Sequence, residues 1–233
     1  MAGFTFAIGV LGCRSNQEEV DCLRSQMMEM GGAEVRFPGP ADVVVVNSCA
    51  VTATALSQSR QETRKAGRAK TGGLLIVTGC GAQMDPAWMA RLEGVDLVAG
   101  NRAKERLGSL LEDLASFGPA DAPFSSAALE ELLAAGGETK KLHECQAGEL
   151  PPTGWRPAFG PRDVGRGSWL LWEADPLPDR FARRTGPIPT RNSRAVLKIQ
   201  DGCHFACAFC IVSSLRGEPR SRDRPEPPRR ALP

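Results

Sequence analysis

Six of the eight cysteines fall into two groups of three, and three thiolates suit a particular kind of metal site. Cys203, Cys207 and Cys210 form a C-x-x-x-C-x-x-C cluster near the C-terminus. Thiolates this close together can hold three corners of a cubic [4Fe–4S] cluster, whereas electron-transfer clusters use four protein ligands. The missing ligand leaves one iron open, and an open coordination position is where a bound metal does chemistry. The competing reading is a zinc knuckle. Zinc wants a fourth ligand, and His204, lying between two of the cysteines, is awkwardly placed to share a site with them. Cys13, Cys49 and Cys80 are far apart in sequence, yet each follows a predicted strand: Leu11-Gly12-Cys13, Asn47-Ser48-Cys49 and Thr78-Gly79-Cys80. In a parallel sheet the loops after the strands gather at one edge, so three such loops bring three thiols to one place. Gly12, Gly79 and Gly81 beside them let the backbone approach a bulky group. Again the count is three, and again one iron is left open. Cys22 sits inside a predicted helix and reads as an ordinary buried thiol. Cys145, near His143, has no partner at metal-binding spacing and reads as a free thiol.

These thiols need a frame. Residues 1–117 alternate strand and helix patterns, with strands expected at 4–11, 42–46, 74–78 and 95–99. Helices are expected at 16–30, 52–70, 85–92 and 102–116. Val43 to Val46 are four consecutive valines, the signature of a strand buried on both faces, and Gly31-Gly32 stops the first helix. Repeated βα units of this size imply an α/β domain: a parallel sheet, flavodoxin- or Rossmann-like, covered by helices on both faces. From 118 to 193 the rhythm is lost. Ten of the eighteen prolines lie there, and apart from one short helix at 126–135 the stretch reads as an irregular linker, so a domain boundary is placed at 117. A strand at 195–200 leads into the second cysteine group, making 194–217 the start of another domain. The Pro/Arg-rich stretch 218–233 is not expected to fold alone.

Lys and Arg total 29 against 27 Asp and Glu, so the balance does not by itself announce a nucleic-acid binder. No run of eighteen apolar residues exists, and the first ten residues lack the basic and small-residue features of a signal peptide. The expected compartment is the cytosol, where disulfides are disfavoured and eight cysteines point instead to metal or cluster binding. No membrane or DNA partner is expected. Arg60, Arg64, Lys65, Arg68 and Lys70 lie on one predicted helix; a solvated face is the preferred reading over phosphate contact.

The cysteine segments carry a resemblance. A strand running into C-x-x-x-C-x-x-C, with Phe209 before the last cysteine, resembles the radical S-adenosylmethionine signature. Leu-Gly-Cys-Arg-Ser-Asn-Gln from Leu11, Asn-Ser-Cys-Ala-Val-Thr from Asn47 and Val-Thr-Gly-Cys-Gly-Ala-Gln from Val77 resemble the N-terminal domain of the methylthiotransferase family. Leu-Lys-Ile-Gln-Asp-Gly-Cys from Leu197, with Arg216-Gly217 and Ser221-Arg222, resembles the entry to that family's catalytic (β/α) barrel. The resemblance implies two [4Fe–4S] clusters, one on Cys13, Cys49 and Cys80 and one on Cys203, Cys207 and Cys210. It also implies S-adenosylmethionine as cofactor, with Phe209 packing near its adenine, and a reducing electron donor. In such enzymes the second cluster cleaves S-adenosylmethionine to a radical that takes hydrogen from C2 of an adenine. The first cluster supplies sulfur, and a second S-adenosylmethionine supplies the methyl group.

Within the family, Val51-Thr52, Ser57-Gln58-Ser59-Arg60-Gln61, Ala82-Gln83-Met84-Asp85-Pro86 and the run from Gly94 to Asn101 resemble enzymes that modify N6-threonylcarbamoyladenosine at position 37 of tRNA. The implied partner is a tRNA anticodon loop, whose bases are exposed. Isopentenyladenosine in tRNA or a ribosomal protein are the alternative substrates, and a non-catalytic iron–sulfur or tRNA-binding module is the alternative class. Two departures stand out: Ser213 occupies a position where the family usually has proline, and only 23 residues follow Cys210. A full barrel takes about 200 residues or more, so the expectation is that these 233 residues, taken alone, are a truncated and catalytically inactive member.

Overall fold

The computed structural model describes residues 3–119, 121–135, 143–146, 169–172, 196–205 and 207–221, with backbone only for 133–135, 143–146 and 169–172. The chain runs β1 (Phe4–Val10), α1 (Arg14–Glu29), β2 (Gly32–Glu34), β3 (Val43–Ser48), α2 (Ala53–Ala69), β4 (Leu74–Gly79), α3 (Cys80–Met84), α4 (Pro86–Ala90) and β5 (Leu97–Ala99). A 3-10 turn (Ala103–Arg106) leads into α5 (Leu107–Phe117), followed by α6 (Ser126–Ala135), β6 (His143–Gln146), β7 (Trp169–Trp172), β8 (Gln200–Asp201), α7 (Val212–Arg216) and β9 (Arg220–Ser221).

The sheet order is β2-β1-β3-β4-β5-β7-β6. The first five strands are mutually parallel in the doubly wound order of flavodoxin-like folds. β7 joins parallel to β5, and β6 pairs antiparallel at the far edge. The valine run explains the layers. Side chains alternate across a strand, so Val43 and Val45 enter one core while Val44 and Val46 enter the other. The first core is closed by Leu23 and Met27 of α1 and by Leu107, Leu110, Leu111 and Leu114 of α5. The second is closed by Ala66 of α2 and by Ala82, Met89 and Ala90 of α3 and α4. Helix starts are set locally: the Thr52 hydroxyl accepts from Ala55 N–H at 3.1 Å, and Asp85 accepts from Trp88 N–H at 3.0 Å ahead of Pro86.

The α/β parallel-sheet expectation holds, and four details differ. β2 forms directly after Gly31 as a three-residue edge strand, too short to leave a periodic trace. The turn after β4 is itself a helix, α3, which the glycines of Gly79-Cys80-Gly81 mask in the sequence. The first core continues past 117: Phe124, Ala128, Leu129 and Leu132 are buried in it, so α6 belongs to this unit rather than to an irregular linker. The strand expected at 195–200 shrinks to Gln200–Asp201, paired antiparallel with Arg220–Ser221. Within 196–199 the polar Lys198 is buried while Leu197 and Ile199 are 53% and 67% exposed. The pattern that reads as a buried strand is inverted there, because Lys198 turns inward to an ion-pair network. Most of 118–193, the stretch 222–233 and the side chain of Cys145 lie outside the described residues.

Candidate metal centre

The register of β1, β3 and β4 brings three chain exits side by side. Val10 pairs with Asn47, and Ser48 pairs with Gly79. Neighbouring strands lie about 4.8 Å apart, and Cys13, Cys49 and Cys80 follow these exits within three residues. The strand order reverses between β1 and β3, which is where doubly wound sheets hold their ligands. Cys13 caps the start of α1 without a side-chain cap bond, and Cys80 opens α3. Cys49 and Cys80 are each 2% exposed, while Cys13 is exposed, so two thiols form the floor and the third the rim. Cys22 is buried within α1, as an ordinary core thiol.

Polar side chains lace the three loops together. Asn16 donates to the carbonyls of Leu11 at 2.8 Å and Ser48 at 3.2 Å, and Asn47 donates back to the Asn16 carbonyl at 3.1 Å. The Ser48 hydroxyl donates to the Thr78 carbonyl at 2.5 Å and accepts from Ala82 N–H at 3.0 Å. Cys49 N–H donates to the Ser59 hydroxyl at 2.8 Å. Gly12 has φ +91°, and a Cβ there would lie 2.4 Å from the Cys49 sulfur. Gly79, also at φ +91°, would place a Cβ 2.2 Å from the Asn47 amide oxygen. Only glycine lets the loops close this tightly at that backbone conformation. Burial pushes the Cys49 thiol above its ordinary pKa, with Cys80 and Cys13 adding to the push, while a backbone hydrogen bond from Val51 and the charge of Arg216 act the other way. The three sulfurs therefore share one electrostatic neighbourhood.

The second group lies on a single loop beside the first. Cys203 N–H donates to the Gly217 carbonyl at 3.0 Å and Cys210 N–H to the Cys207 carbonyl at 3.1 Å. Cys207 is exposed and Cys203 and Cys210 are half-buried. Phe209 is 94% exposed, so its ring stands free of the core. The next element, α7, docks on the first trio: Leu215 and Ile211 pack with Ala50, Cys80, Leu56 and Met84.

A buried ionic knot fixes that docking. Arg216 donates to Asn16 Oδ1 at 2.7 Å, Ser15 Oγ at 3.0 Å, Glu19 at 2.7 Å and Asp201 at 2.7 Å. Glu19 also receives Lys104 and Lys198, each at 2.5 Å. Lys198 reaches Asp201 at 2.8 Å, and Arg220 reaches Glu105 at 2.7 Å and Asp201 at 3.5 Å. Burial alone would raise the Glu19 pKa, but Lys104, Arg216 and Lys198 hold it well below the usual carboxylate range. The Arg216 pKa is raised: burial opposes this, and Glu19, Asp201 and Cys80 outweigh it. Four cations face three carboxylates, leaving positive charge next to sulfurs that must become thiolates to bind metal.

The sequence motifs contain Asn16, Asn101, Lys198 and Arg216 without giving them a role, and Glu19 and Lys104 fall outside those motifs. Their partners lie up to 201 residues away, beyond the reach of any local pattern. The basic helix face is mostly occupied internally: Arg60 and Arg64 lie 3.9 and 5.2 Å from the Trp88 ring centroid, Lys65 pairs with Glu62, and Lys70 with Asp96. No helix among the described residues is long and apolar enough to cross a membrane.

The donor set of the first trio fits an iron–sulfur cluster. Three thiols converge from separate loops over a glycine cradle, with cationic charge alongside and one thiol at an open rim. Among the described residues no group of three or more Cys, His, Asp or Glu side chains closes round one point as a single metal ion requires.

Residues 5–100 match the family described as "Uncharacterized protein family UPF0004". The chain is 30% identical over 217 residues to the threonylcarbamoyladenosine tRNA methylthiotransferase MtaB of Aquifex aeolicus, covering 93% of this chain and 41% of that protein. It is 31% identical over 222 residues to the MtaB of Bacillus subtilis, covering 95% of this chain and 39% of that protein. It is also 31% identical over 218 residues to the ribosomal protein uS12 methylthiotransferase RimO of a Roseiflexus species, covering 93% of this chain and 40% of that protein. The chain thus spans about two-fifths of the length of these relatives. Residues 5–100 thus carry the UPF0004 domain, and over more than nine-tenths of its length the chain is similar to proteins named as methylthiotransferases.

Proposed function

We propose that this chain serves in methylthiolation of tRNA, placing a 2-methylthio group on N6-threonylcarbamoyladenosine at position 37 of the anticodon loop, in the cytosol. The observation that carries the reading is the meeting of Cys13, Cys49 and Cys80 at the switch point of the sheet, with the Cys203 loop docked beside them. In the proposed site each trio holds one [4Fe–4S] cluster. Such clusters, when bound, supply an electron for cleaving S-adenosylmethionine at one trio and sulfur at the other, drawing on an external reductant. The chain's own residues do the rest: the thiols bind, Gly12 and Gly79 let the cysteine loops pack closely together, and Arg216 offsets thiolate charge and clamps one cysteine loop against the other. Phe209, exposed beside Cys210, is proposed to cover the adenine of the cofactor.

The choice of tRNA over protein rests on the stretches around Val51, Ala82 and Gly94 that resemble enzymes of threonylcarbamoyladenosine. The 31% identity to a relative named for ribosomal protein uS12 supports a second reading, in which the same chemistry acts on that protein. Anaerobic reconstitution tests the site: about eight irons with matching sulfide per chain are expected for two cubic clusters, and zinc without iron overturns the proposal. The substrate is tested by supplying the reconstituted protein with S-adenosylmethionine, a reductant and either unmodified tRNA or uS12. A 2-methylthio product on the tRNA nucleoside supports the first reading, and product on uS12 alone supports the second.

A further inference from the structure

Asn101 follows β5, the strand next to the three that carry cysteines, and is 3% exposed. Its side-chain nitrogen donates to the Cys80 sulfur at 3.6 Å and to the Leu215 carbonyl of α7 at 2.7 Å. Its side-chain oxygen accepts from the Lys104 ammonium at 2.9 Å. The orientation of an asparagine amide has to be argued from its partners, and here they leave no choice. An ammonium has donors only, so it must face the oxygen; a carbonyl has acceptors only, so it must face the nitrogen. The N–H that remains points at sulfur. Lys104 is itself held by Glu19, the same carboxylate that receives Lys198 and Arg216. The main-chain N–H of Asn101 is fixed as well, donating to Gln83 Oε1 at 2.9 Å.

We infer that Asn101 is a positioning residue whose amide N–H, oriented by Lys104, donates to the Cys80 sulfur and raises the reduction potential of the group bound by Cys13, Cys49 and Cys80, while its second bond to Leu215 ties that sulfur to the loop carrying the other cysteines. The inference rests on the proposed cluster at the first trio. Reduction adds an electron to a cluster whose charge is spread over its sulfurs. A hydrogen bond to a ligand sulfur stabilises that added charge, and hydrogen bonds to sulfur are among the protein's controls on such potentials. The bond to Leu215 gives the arrangement a second consequence: a shift of α7 on the sheet pulls on the donor to Cys80, so the position of the second cysteine loop is read at the first.

The test uses the full chain with Cys203, Cys207 and Cys210 replaced by alanine, so that a single cluster is titrated. After anaerobic reconstitution, redox titration followed by electron paramagnetic resonance reads the potential of the first site. Asn101→Ala removes the donor. Asn101→Asp keeps the size and the acceptor for Lys104 but puts a charged oxygen where the donor was. The expected result is a potential that becomes more negative in Asn101→Ala and more negative still in Asn101→Asp, with iron content unchanged. Lys104→Met, which frees the amide to turn, shifts in the same direction by less. Full iron with one potential in all four proteins overturns the inference and leaves the cluster reading standing. Failure of the parent chain to take up iron refutes the cluster reading and with it the inference. If a variant loses iron, the parent and Lys104→Met still decide: equal potentials in those two overturn the orienting role of Lys104 and the inference with it.

Discussion

Replacing Glu19 by glutamine keeps the shape of the side chain and removes the one charge on which three cations converge. Its side chain is 9% exposed, and those of Lys104, Lys198 and Arg216 are 5%, 4% and 6% exposed, so water does little to relieve the loss. Breaking a buried ion pair by removing one partner costs about 3–5 kcal/mol. Here the low end applies, because Lys198 and Arg216 keep Asp201 and Lys104 keeps the Asn101 oxygen. About 3 kcal/mol corresponds to roughly a hundredfold change in an equilibrium, at 1.36 kcal/mol per factor of ten. Two of the three lost contacts tie 196–221 to α1, so the opening that becomes more frequent is release of that segment from the sheet domain. Hydrogen exchange reads it directly. The amides of Cys203, Leu215 and Gly217, bonded to Gly217, Ile211 and Ser213, should exchange about a hundredfold faster. The amides of β3, buried in the centre of the sheet, should keep their protection. A pH series adds a signed check. The folded pKa of Glu19 lies below its ordinary value of 4.5, so its contribution is complete above about 4.5 and is lost as pH falls below that. The wild type should lose stability on acidification more steeply than Glu19→Gln. Unchanged exchange at 203–217, or equal acid slopes, refutes the pivot role.

Three further outcomes follow from the same geometry. Gly12→Ala forces a side chain into φ +91° and against the Cys49 sulfur; iron uptake should drop by about half, from two cubic clusters to one, while the far-ultraviolet circular dichroism stays that of the wild type. Leu129→Ala, in a helix packed into the first core, should destabilise the protein by about 2–5 kcal/mol in a denaturant titration, whereas a change under about 0.5 kcal/mol would place 126–135 outside that core. Arg216→Lys keeps the charge but not the fork that reaches Asn16, Ser15, Glu19 and Asp201 together; hydrogen exchange at 211–217 should rise as in Glu19→Gln, and full retention of protection would show that charge alone suffices.

The frame of the site is written locally in the chain and its linkage is not. A buried parallel strand must be apolar on both faces, so Val43–Val46 and Leu74–Val77 read as strands without any knowledge of their neighbours. A cysteine directly after such a strand is then assigned to the loop edge by topology alone, which is why Cys13, Cys49 and Cys80 could be placed together while separated by up to 67 residues of sequence. The element limits that differed were those decided by tertiary pairing. α6 has the composition of a free-standing helix, and only its packing against α5 shows that the first core includes it. Residues 196–199 have the alternation of a strand with its apolar side inward, yet the buried member is Lys198, because a carboxylate 179 residues away accepts its charge.

That inversion bears on how the two cysteine loops are related. Apolar burial is non-directional and tolerates sliding, whereas a carboxylate shared by Lys104, Lys198 and Arg216 fixes both distance and angle. The apolar contact of Leu215 and Ile211 over Cys80 and Ala50 is small, and alone it would define a face rather than a position. The ionic knot turns the face into a register: Asn16 holds the loops after β1 and β3 on one side and the Arg216 guanidinium on the other, and Asn101 holds both Cys80 and the last turn of α7. A chemistry that needs two open coordination positions aimed at one substrate atom requires this kind of constraint. Polar groups buried at a cost that apolar residues would avoid are therefore found where the first cysteine trio meets the loop of the second.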